Sequence, residues 1–352
     1  GIVGNTHNTD HSAILGYLTD STVEGNRSSN DTLNTSFTTT GMELHCRGTV
    51  VKGNRVKNCT IGILLAGQVT DLQDNIATSN ILTNVDIGFS YWNGVFAVGS
   101  MTVDNLKIDN NIIILSEQSD STDGGIVPGT IEGPITNSSF DGNNISQIGA
   151  LSANGQNPKG VFLAWAEDCS ISGNKLKNLS GKGIEVSNSS TSRSMKRIKI
   201  HDNQIRDIGL GGVAGNDYAI HAKGLSSSFV AFDISVKTNQ ITGGFGEAIV
   251  IDGYVNGPVV RDNSIKPSTL NPVTFLNFNA TNIQEGGNWV EASGAQPSTG
   301  FYVNGTIIKN NLASELGGSP NKYIIEGWRR LNNGSAHVNS VDWVPMKTFT
   351  GN

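Results

Sequence analysis

The chain is short of charge. Asp, Glu, Lys and Arg make up 15% of its 352 residues, against about 25% in an ordinary globular domain. It is also short of proline, with 9, and of cysteine, with 3. Its apolar runs are brief, such as Ile112 to Leu115 and Val161 to Ala166, far below the roughly 20 residues of a membrane helix. No segment of ten or more residues carries a clear apolar period of 3.6, which excludes a helical bundle or coiled coil. Cys46, Cys59 and Cys169 have no CxxC or Cys/His spacing, so a disulfide scaffold and a zinc site are both unsupported. They read as small core residues. Basic runs are missing too. The net charge is −6 and the pI is near 5.5, which argues against nucleic acid as a partner. The nearest basic cluster is Arg193, Lys196, Arg197 and Lys199.

What the chain does have is 43 glycines and 40 asparagines. Both residues favour turns and positive φ over helix interiors. The 36% of hydrophobic residues are spread evenly enough to build a core, so disorder is not expected. No charged segment precedes an apolar one at the start, and GIVGNTHNTD reads like the interior of a domain, as in a fragment. Sequons such as those at Asn26, Asn58 and Asn178 are common by chance in such a composition.

An internal repeat gives the asparagines a place. A short strand, an Asn, any residue, then Ile, Leu or Val recurs at Asn54, Asn80, Asn110, Asn143, Asn174, Asn203, Asn239, Asn263 and Asn310. At Asn110 and Asn310 the neighbouring Asn serves equally well. A second motif follows each Asn: GMELH, GILLA, GVFAV, GVFLA, GIEVS, AIHA and AIVID. Two or three strands per repeat of about 30 residues is the signature of a parallel β-helix, in which each repeat is one coil. A β-propeller would need four strands per blade and a regular blade signature. The expected fold is all-β, a single right-handed parallel β-helix over residues 1–285. A small C-terminal β unit is expected over 286–352, as a cap or an oligomerisation unit.

The coil motif over Met42 to Ile283 and the ending GWRRLNNGSAHVNSVDWVPMKTFTG together resemble bacteriophage tailspikes that depolymerise capsule or O-antigen. The coil motif alone is shared with pectate lyases and mannuronan epimerases and specifies fold, not activity. The resemblance implies a homotrimer on the virion, acting outside the host cell on a bacterial capsular polysaccharide or O-antigen. It implies no cofactor, no metal, no nucleic acid and no membrane insertion. Tailspikes usually carry a particle-binding module ahead of the helix, and none is present here.

Alternation along the second motif sorts its residues into columns. With Met42, Ile63, Val95, Val161, Ile184, Ile220 and Ile249 inward, one outward column runs Glu43, Leu64, Phe96, Phe162, Glu185, His221 and Val250. The next runs His45, Ala66, Val98, Ala164, Ser187, Lys223 and Asp252. Trp92 and Trp165 lie beside them. Aromatic rings on such a face suit the C–H faces of sugars, or contact a loop or a second subunit. Substrate-binding candidates are therefore Phe162, Trp165, Trp92, Phe96, His221, Lys223 and Arg193. Catalytic candidates are Glu185, Asp252 and Glu167, with Asp168 beside the last. Glu185 and Asp252 sit two coils apart, within reach of the ~6.5–9.5 Å that inverting glycosidases use. Phe162 is expected to raise the pKa of Glu185 and favour the acid role. The leading expectation is endo-hydrolysis. A polysaccharide lyase, in which His221 and Lys223 matter more, and a non-enzymatic adhesin are the alternatives. The acidic loop with Glu117, Asp120 and Asp123 matches no EF-hand spacing. His45 and His201 read as surface residues.

Overall fold

The computed structural model describes residues 12–33, 38–67, 71–92, 102–119, 122–129, 133–149, 157–187, 194–209, 218–226, 230–243, 247–266, 271–276, 284–286, 288–292, 296, 302, 304–310, 312–332, 334 and 336–351. One coil shows the plan. Strand Lys175–Leu179 leads through a tight turn into Ile184–Ser187. A two-residue strand, Met195–Lys196, follows, then Lys199–His201, and Asn203 starts the next coil. Each strand pairs in parallel with its equivalent one coil away. The strands equivalent to Ile184–Ser187 form what we term the site sheet. Among the described residues, those equivalent to Met195–Lys196 form the seven-stranded short sheet, and those equivalent to Lys199–His201 form a ten-stranded turn sheet. The chain is a right-handed parallel β-helix. Among the described residues no helix is long and apolar enough to cross a membrane.

The coil closes because its corners fall on residues that accept positive φ. Asn105, Asn137, Asp168, Arg197 and Asp233, with φ between 50° and 55°, stack at the corner between the short and turn sheets. Asn and Asp are enriched at such positions because their short polar side chains bond locally.

The asparagine immediately after the next corner is the strongest signal in the sequence. It forms a ladder through Asn26, Asn54, Asn80, Asn111, Asn143, Asn174, Asn203, Asn239, Asn263 and Asn288. At Asn174, Nδ2 donates to Asn203 Oδ1 at 2.9 Å and to the Phe140 carbonyl at 2.8 Å. Its Oδ1 accepts from Asn143 N at 2.9 Å and from Asn143 Nδ2 at 3.0 Å. Both amide hydrogens and both lone pairs are used. The repeat at 110 therefore belongs to Asn111, and among the described residues the last asparagine joined to the ladder is Asn288.

Inward columns are apolar, as expected. Met42, Ile63, Phe89, Ile126, Val161, Ile184, Ile220 and Ile249 are all fully buried and in register through the site sheet. The glycine before many of them has a packing cause. A Cβ on Gly160 would lie 2.5 Å from the Gly183 carbonyl, and one on Gly183 would lie 2.5 Å from the Ala219 carbonyl. The three cysteines are buried and free.

Parallel stacking continues past the expected boundary at residue 285. Trp289–Ala292 pairs with Ser264–Lys266 and then with Ile307–Asn310. Antiparallel pairing begins where Ile307–Asn310 meets Lys322–Arg330, which in turn pairs with Trp343–Gly351. Arg330 is buried in this unit. Its guanidinium donates to the carbonyls of Asn332, Ala336 and Gly334 and lies 5.3 Å from the Trp343 ring centre.

Candidate active site

On the site sheet, Phe162 pairs with Glu185, Glu185 with His221, and His221 with Val250. One position pair along, Ser187 pairs with Lys223 and Lys223 with Asp252. These registers agree with the columns read from the sequence. One coil, that of Val95, Phe96 and Val98, does not. The place expected for Phe96 is taken by Ser90, which pairs with Leu64, and then by Val127 on strand Gly124–Pro128. The inward place expected for Val95 is that of Phe89. Val95, Phe96, Val98 and Arg193 lie outside the described residues.

Glu185, His221 and Asp252 converge. His221 Nδ1 is 3.5 Å from Glu185 Oε1, and Nε2 is 3.7 Å from Asp252 Oδ2. All three are buried, with 4 to 7% of their surface exposed, so they interact through protein rather than water. Lys223 donates to Asp252 Oδ2 at 3.1 Å and is half-exposed. Two lysines that the sequence reading did not single out complete the cluster. Lys182 donates to Glu185 Oε1 at 2.8 Å and approaches His221 Nδ1 at 3.1 Å. Lys159 is 3.8 Å from Glu185 Oε2 and 5.0 Å from the Phe162 ring centre. The available signal was the Gly181-Lys182-Gly183 turn, which sets a cation just ahead of a strand that carries a carboxylate.

Those cations reverse the expected role of Glu185. Burial pushes its carboxyl up, but His221, Lys182 and Lys159 outweigh burial and pull it down to about 2. Phe162 does not make it an acid. One ring face of Phe162 is met by the Lys159 ammonium, which stabilises the Glu185 anion instead. Glu185 is thus a fixed negative charge at neutral pH.

Glu167 does not join the row. Trp165, at φ 50°, turns the corner after Ala164, and Glu167 lies on the short sheet beyond it, 3.4 Å from Lys196. Asp168 makes a two-point pair with Arg197 at the following corner, so Arg197 is turned away from the site sheet. The Asp168 carboxyl is held below its usual range by the Arg197 hydrogen bonds. These residues border a groove of ≈ 590 Å³ lined by Asn137, Ser139, Asp168, Arg197, Lys199 and Asp233. That groove lies away from the Glu185 row. Trp92 takes the second outward column beside Ala66 and donates from Nε1 to Ser90 Oγ at 3.1 Å. It and Trp165 are half-buried. At the far end of the face, His45 is buried and contacts Glu43 at 3.0 Å, and Tyr17 stacks on it at 4.7 Å. His45 is therefore not the surface residue expected.

No family model and no curated protein matches the chain. Among solved structures it is similar to the Dettilon tailspike protein gp208, at 11% identity and a TM-score of 0.43 over 92% of this chain and 72% of that one. It is similar to an exopolygalacturonase from Thermotoga maritima, at 13% and 0.45 over 71% and 55%. It is also similar to an α-1,3-glucanase of Streptomyces thermodiastaticus, at 15% and 0.45 over 80% and 60%. The chain spans about three quarters of the tailspike but under two thirds of the exopolygalacturonase and the glucanase.

Proposed function

We propose that the chain degrades a polysaccharide on the outer face of its site sheet, at the row formed by Glu185, His221 and Asp252. The observation that carries this reading is the convergence itself. An imidazole stands between two carboxylates on three successive coils, with His221 3.5 Å from Glu185 and 3.7 Å from Asp252. Burying that much charge is costly, and a stable rod would do better with apolar residues there. Phe162 and the half-exposed Lys223 border the row and supply a ring and a cation for sugar contacts.

The finer reading is endo-hydrolysis of a bacterial capsular or surface polysaccharide by a phage tailspike outside the cell. The ionised Glu185 supports it, because a fixed carboxylate stabilises the positive charge that develops on the sugar ring. A homotrimer belongs to the same reading. It is supported by apolar side chains on the C-terminal unit, where Phe349 is 72% exposed and Leu312 68%. A native mass equal to one chain would remove the trimer.

The test is a screen of purified capsules for new reducing ends, with oligosaccharides weighed by mass spectrometry. Glu185→Gln and Asp252→Asn should each lower turnover by about 100-fold or more. Wild-type turnover in both variants would sink the assignment. Release of unsaturated sugar ends would assign β-elimination in place of hydrolysis, and binding without cleavage would make the protein an adhesin.

A further inference from the structure

With Glu185 held ionised, it can only accept hydrogen bonds, and the donors of the row are other groups. His221 stands between the two carboxylates, and its protonation form follows from its neighbours. Lys182 Nζ is 3.1 Å from Nδ1. An ammonium has only donors, so Nδ1 accepts. Glu185 Oε1 is 3.5 Å from the same nitrogen, beyond ordinary N–H···O range; it takes its hydrogen bond from Lys182 at 2.8 Å, and with Lys159 at 3.8 Å from Oε2 the two ammonium groups keep the carboxylate ionised without a bond from His221. A doubly protonated ring would set two cations about 3 Å apart in a buried site, which is strongly unfavourable. The ring proton therefore belongs on Nε2. That nitrogen is buried, has no hydrogen-bond partner and faces Asp252. Tyr218 packs edge-on against the ring at 5.0 Å and holds its plane.

We infer that Lys182 is a positioning residue that fixes His221 as the Nε2–H form, so that Nε2 donates a hydrogen bond, not its proton, to a sugar or glycosidic oxygen. This rests on the proposed cleavage at the row. A buried N–H without a partner is rare because it forfeits its hydration. Glu185 Oε2 is likewise buried without a hydrogen-bond partner. The row thus offers one free donor and one free acceptor, the complement of hydroxyl groups. A carboxylate would fill the donor only.

The test reads the ring directly. In protein labelled with ¹⁵N at histidine, the His221 signals are assigned by their loss in His221→Asn. At neutral pH the wild type should show a protonated Nε2 and a bare Nδ1. Lys182→Met should move the ring to another form and lower kcat by about 100-fold with KM little changed. Lys182→Arg should keep the form and most of kcat. A wild-type ring protonated on Nδ1 overturns the inference, whether or not any glycan is cleaved, and so does an unchanged ring in Lys182→Met. Full-rate cleavage by His221→Asn removes the donor role and the functional reading, while leaving the ring assignment to stand on its spectrum.

Discussion

The asparagine ladder and the charged row of the site sheet both bury polar side chains, but the ladder closes its hydrogen bonds and the row does not. From Asn26 to Asn288 each amide feeds the next coil, so stacking more coils satisfies more groups. In the row, Glu185 Oε2 and His221 Nε2 are left without hydrogen-bond partners. Repetition can satisfy a buried amide, because a donor and an acceptor on the same group meet the same group one coil on. It cannot satisfy a lone imidazole between two carboxylates. Polar burial that closes on itself serves the fold, and polar burial left open points to a ligand.

Breaking the ladder should have the largest effect on stability. Asn174→Leu removes a side chain that makes four hydrogen bonds and leaves the Phe140 carbonyl, Asn203 and Asn143 short of partners. Each buried group left unpaired costs about 1–3 kcal/mol, so a loss of at least about 3 kcal/mol is expected from denaturant unfolding. The folded fraction should retain its turnover. A variant as stable as wild type would show that the ladder is ornamental to the fold.

Glu185→Gln should do the reverse, with activity falling far more than stability. It should also change the acid limb of the stability curve. A carboxyl at about 2 in the folded chain and at its ordinary 4.5 when unfolded stabilises the fold above pH 4.5. That contribution is lost as pH falls toward 2. The full shift is worth about 3 kcal/mol, and Glu185→Gln should flatten that part of the curve. Parallel curves for the two proteins between pH 5 and 2 would contradict the ionised state of Glu185.

The fold was legible because stacked coils repeat a residue type at a fixed place. The inward column and the outward partners of Glu185 follow from alternation alone, and their registers agree. The failures came where local pattern and pairing part company. The run GVFAV near residue 96 looks like GVFLA, but Ile81–Trp92 supplies that coil's strand through Phe89 and Ser90. Glu167 is only three residues past Ala164, yet the turn at Trp165 carries it to another sheet. Lys182 lies in a turn outside any column, so alternation says nothing of it. The direction of the Glu185 shift escapes the sequence for the same reason, since the aromatic neighbour falls in a column and the lysines do not.

A smaller effect separates a third kind of polar site from these two. Asp109 and Asp141 are neighbours on the turn sheet, one coil apart. Asp141 is well satisfied, accepting from Ser172 Oγ at 2.6 Å and Ser172 N at 3.1 Å. Asp109 is not. Burial, and then the Asp141 carboxylate, raise its carboxyl from 3.8 to about 6. A carboxyl raised in the folded chain binds its proton more tightly there than when unfolded. It therefore costs stability as pH rises from about 4 through 6, with the full cost present above 6. Asp109→Asn removes that cost. The whole shift corresponds to about 3 kcal/mol, but solvent screening of a partly exposed group reduces it, and a gain of about 1 kcal/mol at pH 8 is expected. At pH 4 the gain should be near zero. Melting curves at the two pH values provide the check, and an equal difference at both would mean that the pair is not repulsive and that Asp109, like the ladder, is satisfied within the fold.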